Sequence, residues 1–226
     1  MKIIELDEVD STNEYCKRIN CEGEIIVIAK RQTTGKGTKG RSFVSSEGGL
    51  FVSVMRRYEN FDASQTFKIM VNSCVAVCRT LEHFGLSPVI RWANDVLVNG
   101  RKICGTLIEN TFSGGTVSRS IVGVGINVNN ALPEELKTIA TSMQAELNRQ
   151  IPLKEVRKVF IENVQKEFTV NDYKSYMNWL GGEVTLKTED GAYTAKAVDV
   201  DETGRLVCDI NGEIKKISAA EVSLRL

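Results

Sequence analysis

The chain has 226 residues and a mass of 25.1 kDa, enough to bury a substantial core and to hold one large domain with a small one beside it. With 42% hydrophobic and 26% charged residues, and 29 basic against 29 acidic side chains, it is neither a disordered polyelectrolyte nor a general nucleic-acid coat, because attraction for a polyanion would have to come from local clustering. Apolar runs such as Glu24 to Ala29 are strand-length, far short of the ~20 residues of a membrane span. No secretory pattern opens at Met1-Lys2-Ile3-Ile4, so the cytoplasm is the expected location.

Asp10 to Glu14 has the form of a helix start, since Ser11 followed three residues later by Glu14 makes a capping box for a short helix to about Ile19. Glu24 to Ala29 reads as a buried strand. It leads into Lys30 to Arg41, a stretch with five cations, no acidic residue and no apolar anchor, expected to be a mobile loop that orders on binding. Leu50 to Met55 resumes as a strand. Gln65 to Phe84 carries apolar residues at helical spacing, with Cys74 and Cys78 on its core side and His83 near its end in a structural role. The six cysteines are scattered, without a Cys-x-x-Cys pair, and read as buried reduced thiols rather than metal ligands.

Val89 to Trp92 and Val96 to Glu109 are β-rich, and Asn99-Gly100 within the second marks a tight hairpin that fixes Lys102 just after the turn. Ser113-Gly114-Gly115 turns the chain into a strand at Ser120 to Gly125, and helices are expected at Leu153 to Phe168 and Asp172 to Trp179. The expected fold class is α+β, a mixed or antiparallel sheet packed by helices over residues 1–179. Beyond Gly181-Gly182 the turns at Glu189-Asp190-Gly191, Glu202-Thr203-Gly204 and Asn211-Gly212 separate short strands, so residues 180–226 read as a small SH3-like β-barrel.

Gly35-Lys36-Gly37-Thr38-Lys39-Gly40 matches G-x-G-x-x-G, yet Arg41 to Gly49 is turn-rich and runs into a strand, not the helix a dinucleotide fold needs. What remains is flexible backbone and cations suited to a phosphate chain, or a solvated surface loop. Four more segments bear on the choice: Ser11-Thr12-Asn13, Arg91-Trp92-Ala93-Asn94-Asp95, Lys102-Ile103-Cys104-Gly105 with Leu107, and Gly123-Val124-Gly125-Ile126-Asn127-Val128. Together with Gln32 to Arg41, in this order, they resemble the motif set of biotin protein ligases over nearly the whole chain.

The resemblance implies an ATP-dependent biotin--[acetyl-CoA-carboxylase] ligase with a biotin/lipoate ligase-like catalytic domain. Such an enzyme joins biotin to AMP with loss of pyrophosphate, using Mg²⁺, and passes biotin to a lysine of a biotin carboxyl carrier domain. It implies Lys102, Asp95 and Arg41 as catalytic residues. Lys102 would bridge the biotin carboxylate and the α-phosphate, and Asp95 would handle Mg²⁺ or orient the incoming amine. Ser11, Thr12, Asn13, Gln32, Lys36, Gly37, Thr38, Lys102 and Gly105 would contact biotin, and Lys39, Arg41, Phe43, Asn127 and Arg225 the nucleotide. The resemblance admits a homodimer. Only ten residues precede Ser11, so the DNA-reading domain that some of these enzymes carry is not expected, nor is a membrane partner. The chain departs from the family pattern at Arg91 for lysine, Ala93 for proline and Thr38 for arginine, and the last removes a cation from the loop over the intermediate. Two alternatives compete: a lipoate or octanoate ligase or transferase, which the loop and the terminal β-domain disfavour, and a non-catalytic biotin sensor, which would have lost Lys102 or the loop cations.

Overall fold

A computed structural model describes residues 2–19, 23–188, 191–219 and 223–225. Two sheets organise the chain. The larger has seven strands: β1 (Lys2–Val9), β2 (Ile25–Gln32), β3 (Leu50–Asp62), β4 (Pro88–Arg91), β5 (Asp95–Val98), β6 (Arg101–Ser113) and β7 (Thr116–Ile126). Their order is β1-β2-β3-β7-β6-β5-β4, with β1 and β2 parallel and the remaining pairs antiparallel. The expected mixed sheet is therefore present.

The short helix α1 (Thr12–Arg18) covers one face, where Cys16 packs on Ile25, Val27, Met55 and Ile121. The other face carries α2 (Phe67–His83), α4 (Leu153–Val164) and α5 (Val170–Ser175), while α3 (Met143–Leu147) follows an irregular segment beside β6. Alternating residues of the strands sort between the two faces, so Val52, Val54, Val122 and Val124 join α2 in the main core. Cys74 and Cys78 lie there, fully buried as expected. His83 is half-exposed beside Glu155 and Phe84, remote from the cleft described below.

Residues 180 onward form a second, antiparallel sheet in the order β11-β10-β9-β8-β12: β8 (Glu183–Lys187), β9 (Ala192–Val200), β10 (Leu206–Ile210), β11 (Glu213–Ile217) and β12 (Ser223–Arg225). The Asn211-Gly212 turn forms with both residues at positive φ. The one at 189–191 lies partly outside the described residues. Trp92 Nε1 donates to Gly204 O at 3.0 Å and Trp179 Nε1 to Ile90 O at 2.7 Å, which ties the end of the first sheet to the second. No helix among the described residues is long and apolar enough to cross a membrane.

Several expectations need correction, among them the last two helices, which end at Val164 and Ser175 and not at Phe168 and Trp179. Sequence reading missed β1, whose partly exposed KIIELDEV pattern lacks a continuous apolar run. Its presence explains why Lys30 and Arg31 are strand residues rather than loop: the parallel ladder reaches Val9↔Gln32, and Asp7 and Glu8 supply carboxylates to Lys30 and Arg31. The capping box at Ser11 does not form. Ser11 stands at the N-cap without a side-chain cap bond, and the Glu14 carboxylate, which would complete the box, is drawn to Lys17 and Lys36 at 2.8 and 2.7 Å.

Candidate functional site

On the α1 face of the sheet, the middle of β6 and β7 carries three glycines, Gly105, Gly123 and Gly125. Gly105 pairs with Gly125 and Leu107 with Gly123 across the two strands, which leaves a flat floor open to whatever lies above it. Phe43 fills part of that space. A Cβ on Gly125 would come within 2.6 Å of its ring, and one on Gly105 within 3.0 Å of Lys102 Nζ. The cleft over this floor is partly open to solvent.

One wall is the start of α1. Thr12 and Asn13 are 3% exposed, yet both line the cleft with Ser11. Thr12 N donates to Gln32 Oε1 at 2.8 Å, and Gln32 Nε2 donates to Ser45 Oγ at 2.8 Å, so the end of β2 is tied to both the helix and the loop. Ser53 Oγ lies 2.7 Å from Thr12 Oγ1 and 2.6 Å from Asn13 Oδ1, and Asn13 Nδ2 donates to Glu109 Oε2 at 2.8 Å.

The opposite wall belongs to Lys102. The Asn99-Gly100 turn has both residues at positive φ, as such a hairpin requires. The Lys102 backbone is then clamped from the far side: its N–H donates to Ile139 O, and its carbonyl accepts from Thr141 N, both at 2.9 Å. The ammonium sits 2.6 Å from Asp95 Oδ1 and 5.8 Å from the Phe43 ring centre. Asp95 Oδ1 receives no well-angled hydrogen bond, so this contact is ionic, whereas Oδ2 accepts from Arg91 at 2.7 Å. Arg91, one of the departures, thus keeps a cation on Asp95. The Trp92–Ala93 peptide is cis.

The loop closes the third side. Gln32 N donates to Ser45 O, Phe43 N to Gly35 O at 2.8 Å and Gly37 N to Arg41 O at 2.7 Å, so the segment turns back on itself as a small folded hairpin. Lys36, Gly37 and Thr38 line the cleft.

The structure therefore brings together Ser11, Thr12, Asn13, Gln32, Lys36, Gly37, Thr38, Phe43, Lys102 and Gly105, with Asp95 directly behind Lys102. It does not bring the others to the cleft lining. Lys39 and Arg41 lie on the loop's exposed outer turn. Asn127 is buried, its amide donating to Thr141 O at 3.0 Å and accepting from Asn130 at 3.1 Å. Arg225 lies in β12 opposite Thr185, and its side chain is outside the described residues. Sequence reasoning left Asn94, Gly123 and Gly125 without a role at the cleft, and it missed Ser53 and Glu109 altogether. The period-two spacing of Gly105, Leu107 and Glu109 could have put Glu109 on the cleft face, but Ser53 carries no signal of its own.

Comparison with known proteins finds relatives along nearly the whole chain. The family model described as the biotin/lipoate A/B protein ligase family matches residues 6–127, and that of the biotin protein ligase C terminal domain matches residues 180–225. The bifunctional ligase/repressor BirA of Bacillus subtilis is 31% identical over 96% of this chain and 72% of its own length. A biotin--[acetyl-CoA-carboxylase] ligase of Mycobacterium tuberculosis is 27% identical over 88% of this chain and 78% of its own. The structure of the biotin protein ligase from Aquifex aeolicus in complex with biotin and ATP superposes with a TM-score of 0.81 at 33% identity, covering 99% of this chain and 98% of that one.

Proposed function

The chain belongs to the biotin/lipoate A/B protein ligase family, and from that premise we propose that it is a biotin protein ligase that activates biotin with ATP and transfers it to a carboxylase. The observation that carries the reading is a single cleft in which a fixed ammonium, Lys102, faces the hydrogen-bonding groups of Thr12, Asn13 and Gln32 across a glycine floor. A polar ring held among the latter would direct its carboxylate tail toward the former.

In the first half-reaction a biotin carboxylate oxygen bonds to the α-phosphorus of ATP, the bond to the β-phosphate bridging oxygen breaks, and pyrophosphate leaves. Two anions must meet. A preorganised cation at that point stabilises the charge that builds up, and Lys102 is held for this by its clamped strand and by Asp95. Both oxygens of Asp95 are engaged by cations, which supports a role in orienting Lys102 over one in binding metal. The Phe43 ring offers an aromatic face for the adenine. Lys36, Gly37 and Thr38 would close over the ligand, and Lys39 and Arg41 would reach phosphates only if the loop tip turns inward. Asn127 would brace the end of β7 through Thr141 and Asn130, and Arg225 would contribute to the nucleotide side. In the second half-reaction the carrier lysine amine attacks the acyl carbon and AMP departs.

The described residues contain no group of three or more metal-ligating side chains. Magnesium commonly binds through substrate phosphates and water with one or two carboxylates, so Mg²⁺ would arrive on ATP without a protein cage, and it would screen the phosphate charge. The carrier is a biotin carboxyl carrier domain, and the match over residues 180–225 supports a biotin ligase over a lipoate enzyme. We place the domain boundary between residues 179 and 180, just before β8.

The test is to incubate the protein with ATP, Mg²⁺ and either biotin or lipoate. Biotin alone should elicit pyrophosphate release, and Lys102→Ala should slow it on the order of 10²-fold or more. Native rates in that variant, or release with lipoate instead, would refute the reading.

A further inference from the structure

Glu109 points from β6 toward the cleft wall, and the contacts behind that wall fix the direction of a chain of protons. Asn13 Nδ2 lies 2.8 Å from Glu109 Oε2 and 3.5 Å from Leu107 O. Both are acceptors only, so the amide must turn its N–H₂ toward them and its Oδ1 toward Ser53. Ser53 Oγ, 2.6 Å from that oxygen, can satisfy it only by donating its one proton. The 2.7 Å contact between Ser53 Oγ and Thr12 Oγ1 also needs a proton, and only the Thr12 hydroxyl can now supply it. The 3.1 Å approach of Thr12 Oγ1 to Gln32 Oε1 is the longer of the two Thr12 hydroxyl contacts and can do without one. Thr12 therefore spends its donor on the protein and keeps its lone pairs for the cleft.

We propose that Glu109 is a positioning residue for the ligand: acting through Asn13 and Ser53, it sets the direction of this relay so that Thr12 Oγ1 meets an N–H donor. The proposal rests on the biotin reading, because a cyclic urea brings two N–H donors and a dithiolane ring brings none. At Ser53 and Asn13 the relay is shielded from water that could rescue a wrong direction. Ser53 is fully buried, and the Asn13 amide lies against Gly123, where even a Cβ would come within 2.4 Å of its Oδ1. A neutral amide at position 109 could instead donate to Asn13. The Asn13 amide would then flip, Ser53 would donate to Thr12, and a Thr12 lone pair would be consumed.

The experiment measures the biotin Kd by calorimetry and the biotin and ATP KM by pyrophosphate release, in the 226-residue chain. Glu109→Gln and Ser53→Ala should each weaken biotin about tenfold or more, the usual scale for a buried hydrogen-bond partner lost. kcat and the ATP KM should stay within about twofold. Preference for biotin over its ureido N-methylated analogue should narrow. The double variant should be no worse than the worse single one, because both act on one relay. Lys17→Met removes the other partner of Glu109, at 2.6 Å, and should leave biotin binding unchanged. Native affinity in either single variant, additive losses, an equal loss in Lys17→Met, or a matching rise in the ATP KM would overturn the proposal. If Glu109→Gln does not fold, the Ser53→Ala measurements decide alone. A native chain that binds biotin but releases no pyrophosphate fails the ligase reading while the Kd values still judge the relay. One that does not bind biotin overturns both.

Discussion

Adding one methyl group at Gly123 tests how tightly the cleft wall is built. The Cβ of Gly123→Ala would stand 2.4 Å from Asn13 Oδ1, 3.0 Å from its Cγ and 3.2 Å from Nδ2, so it meets the whole amide rather than the tip of a mobile chain. The backbone of β7 cannot retreat, since it is paired on both sides with β3 and β6. Asn13 must move, and the contacts to Ser53 and Glu109 at 2.6 and 2.8 Å lengthen or break. Overpacking of this kind costs about 1–3 kcal/mol, and a buried polar group left unmet costs about 1–3 kcal/mol. Replacing a strand glycine returns about 0.5–1 kcal/mol of backbone entropy. The net loss of roughly 1–5 kcal/mol lowers the melting midpoint by about 2–20 °C for a chain of this size. Biotin should bind about tenfold more weakly. The assays are differential scanning calorimetry and biotin-dependent pyrophosphate release, with Gly115→Ala as the control, since a Cβ there meets nothing within 4 Å. A Gly123→Ala chain that melts with the native protein and keeps its biotin KM would show that the Asn13 amide is not pressed on the floor, and the argument would fail.

Three further outcomes are expected. Partial burial alone would raise the Asp201 carboxyl pKa, but hydrogen bonds from Thr203 and the Arg205 N–H, together with Lys216, hold it well below the ordinary carboxylate value of 3.8. A depressed folded value means the stabilisation is complete above about pH 4 and is lost as pH falls below it. Urea midpoints should therefore match at pH 7 and pH 5.5 as far as this group is concerned, and Asp201→Asn should lower the midpoint at pH 7 and flatten the loss in acid. Burial pushes the Cys16 and Cys74 thiols up to about 12 and Cys208 to about 11, so a Cys21→Ser chain should take up no thiol reagent at pH 8 until it is unfolded. Rapid labelling of the native chain would contradict that burial. Thr38→Arg should slow release of the adenylate by less than about fivefold, as for one exposed charge contact. A change beyond about tenfold would mean that Lys36, Lys39 and Arg41 do not compensate for the missing cation.

Local chemistry in the sequence was enough to determine the elements that bear function. The Asn99-Gly100 hairpin, the 3.6-residue periodicity of α2 and the texture change after Gly181-Gly182 each follow from preferences that act within a few residues, and they give the α+β sheet, the helix behind it and the small β-domain. The ordered motifs likewise named most of the residues that line the cleft. Only the tertiary structure decided the rest. β1 is a strand because β2 is beside it, and that pairing claims Lys30 and Arg31 for ion pairs that no local pattern announces. Glu14 gives up a cap it was spaced to make because two lysines, one from a distant loop, compete for its carboxylate. Ser53 and Glu109 lie 40 and 96 residues from Asn13 in the chain, yet they meet its amide at hydrogen-bond distance. Such contacts depend on where whole strands are set by the packing of two helical faces, and a residue's neighbours in sequence carry no record of that.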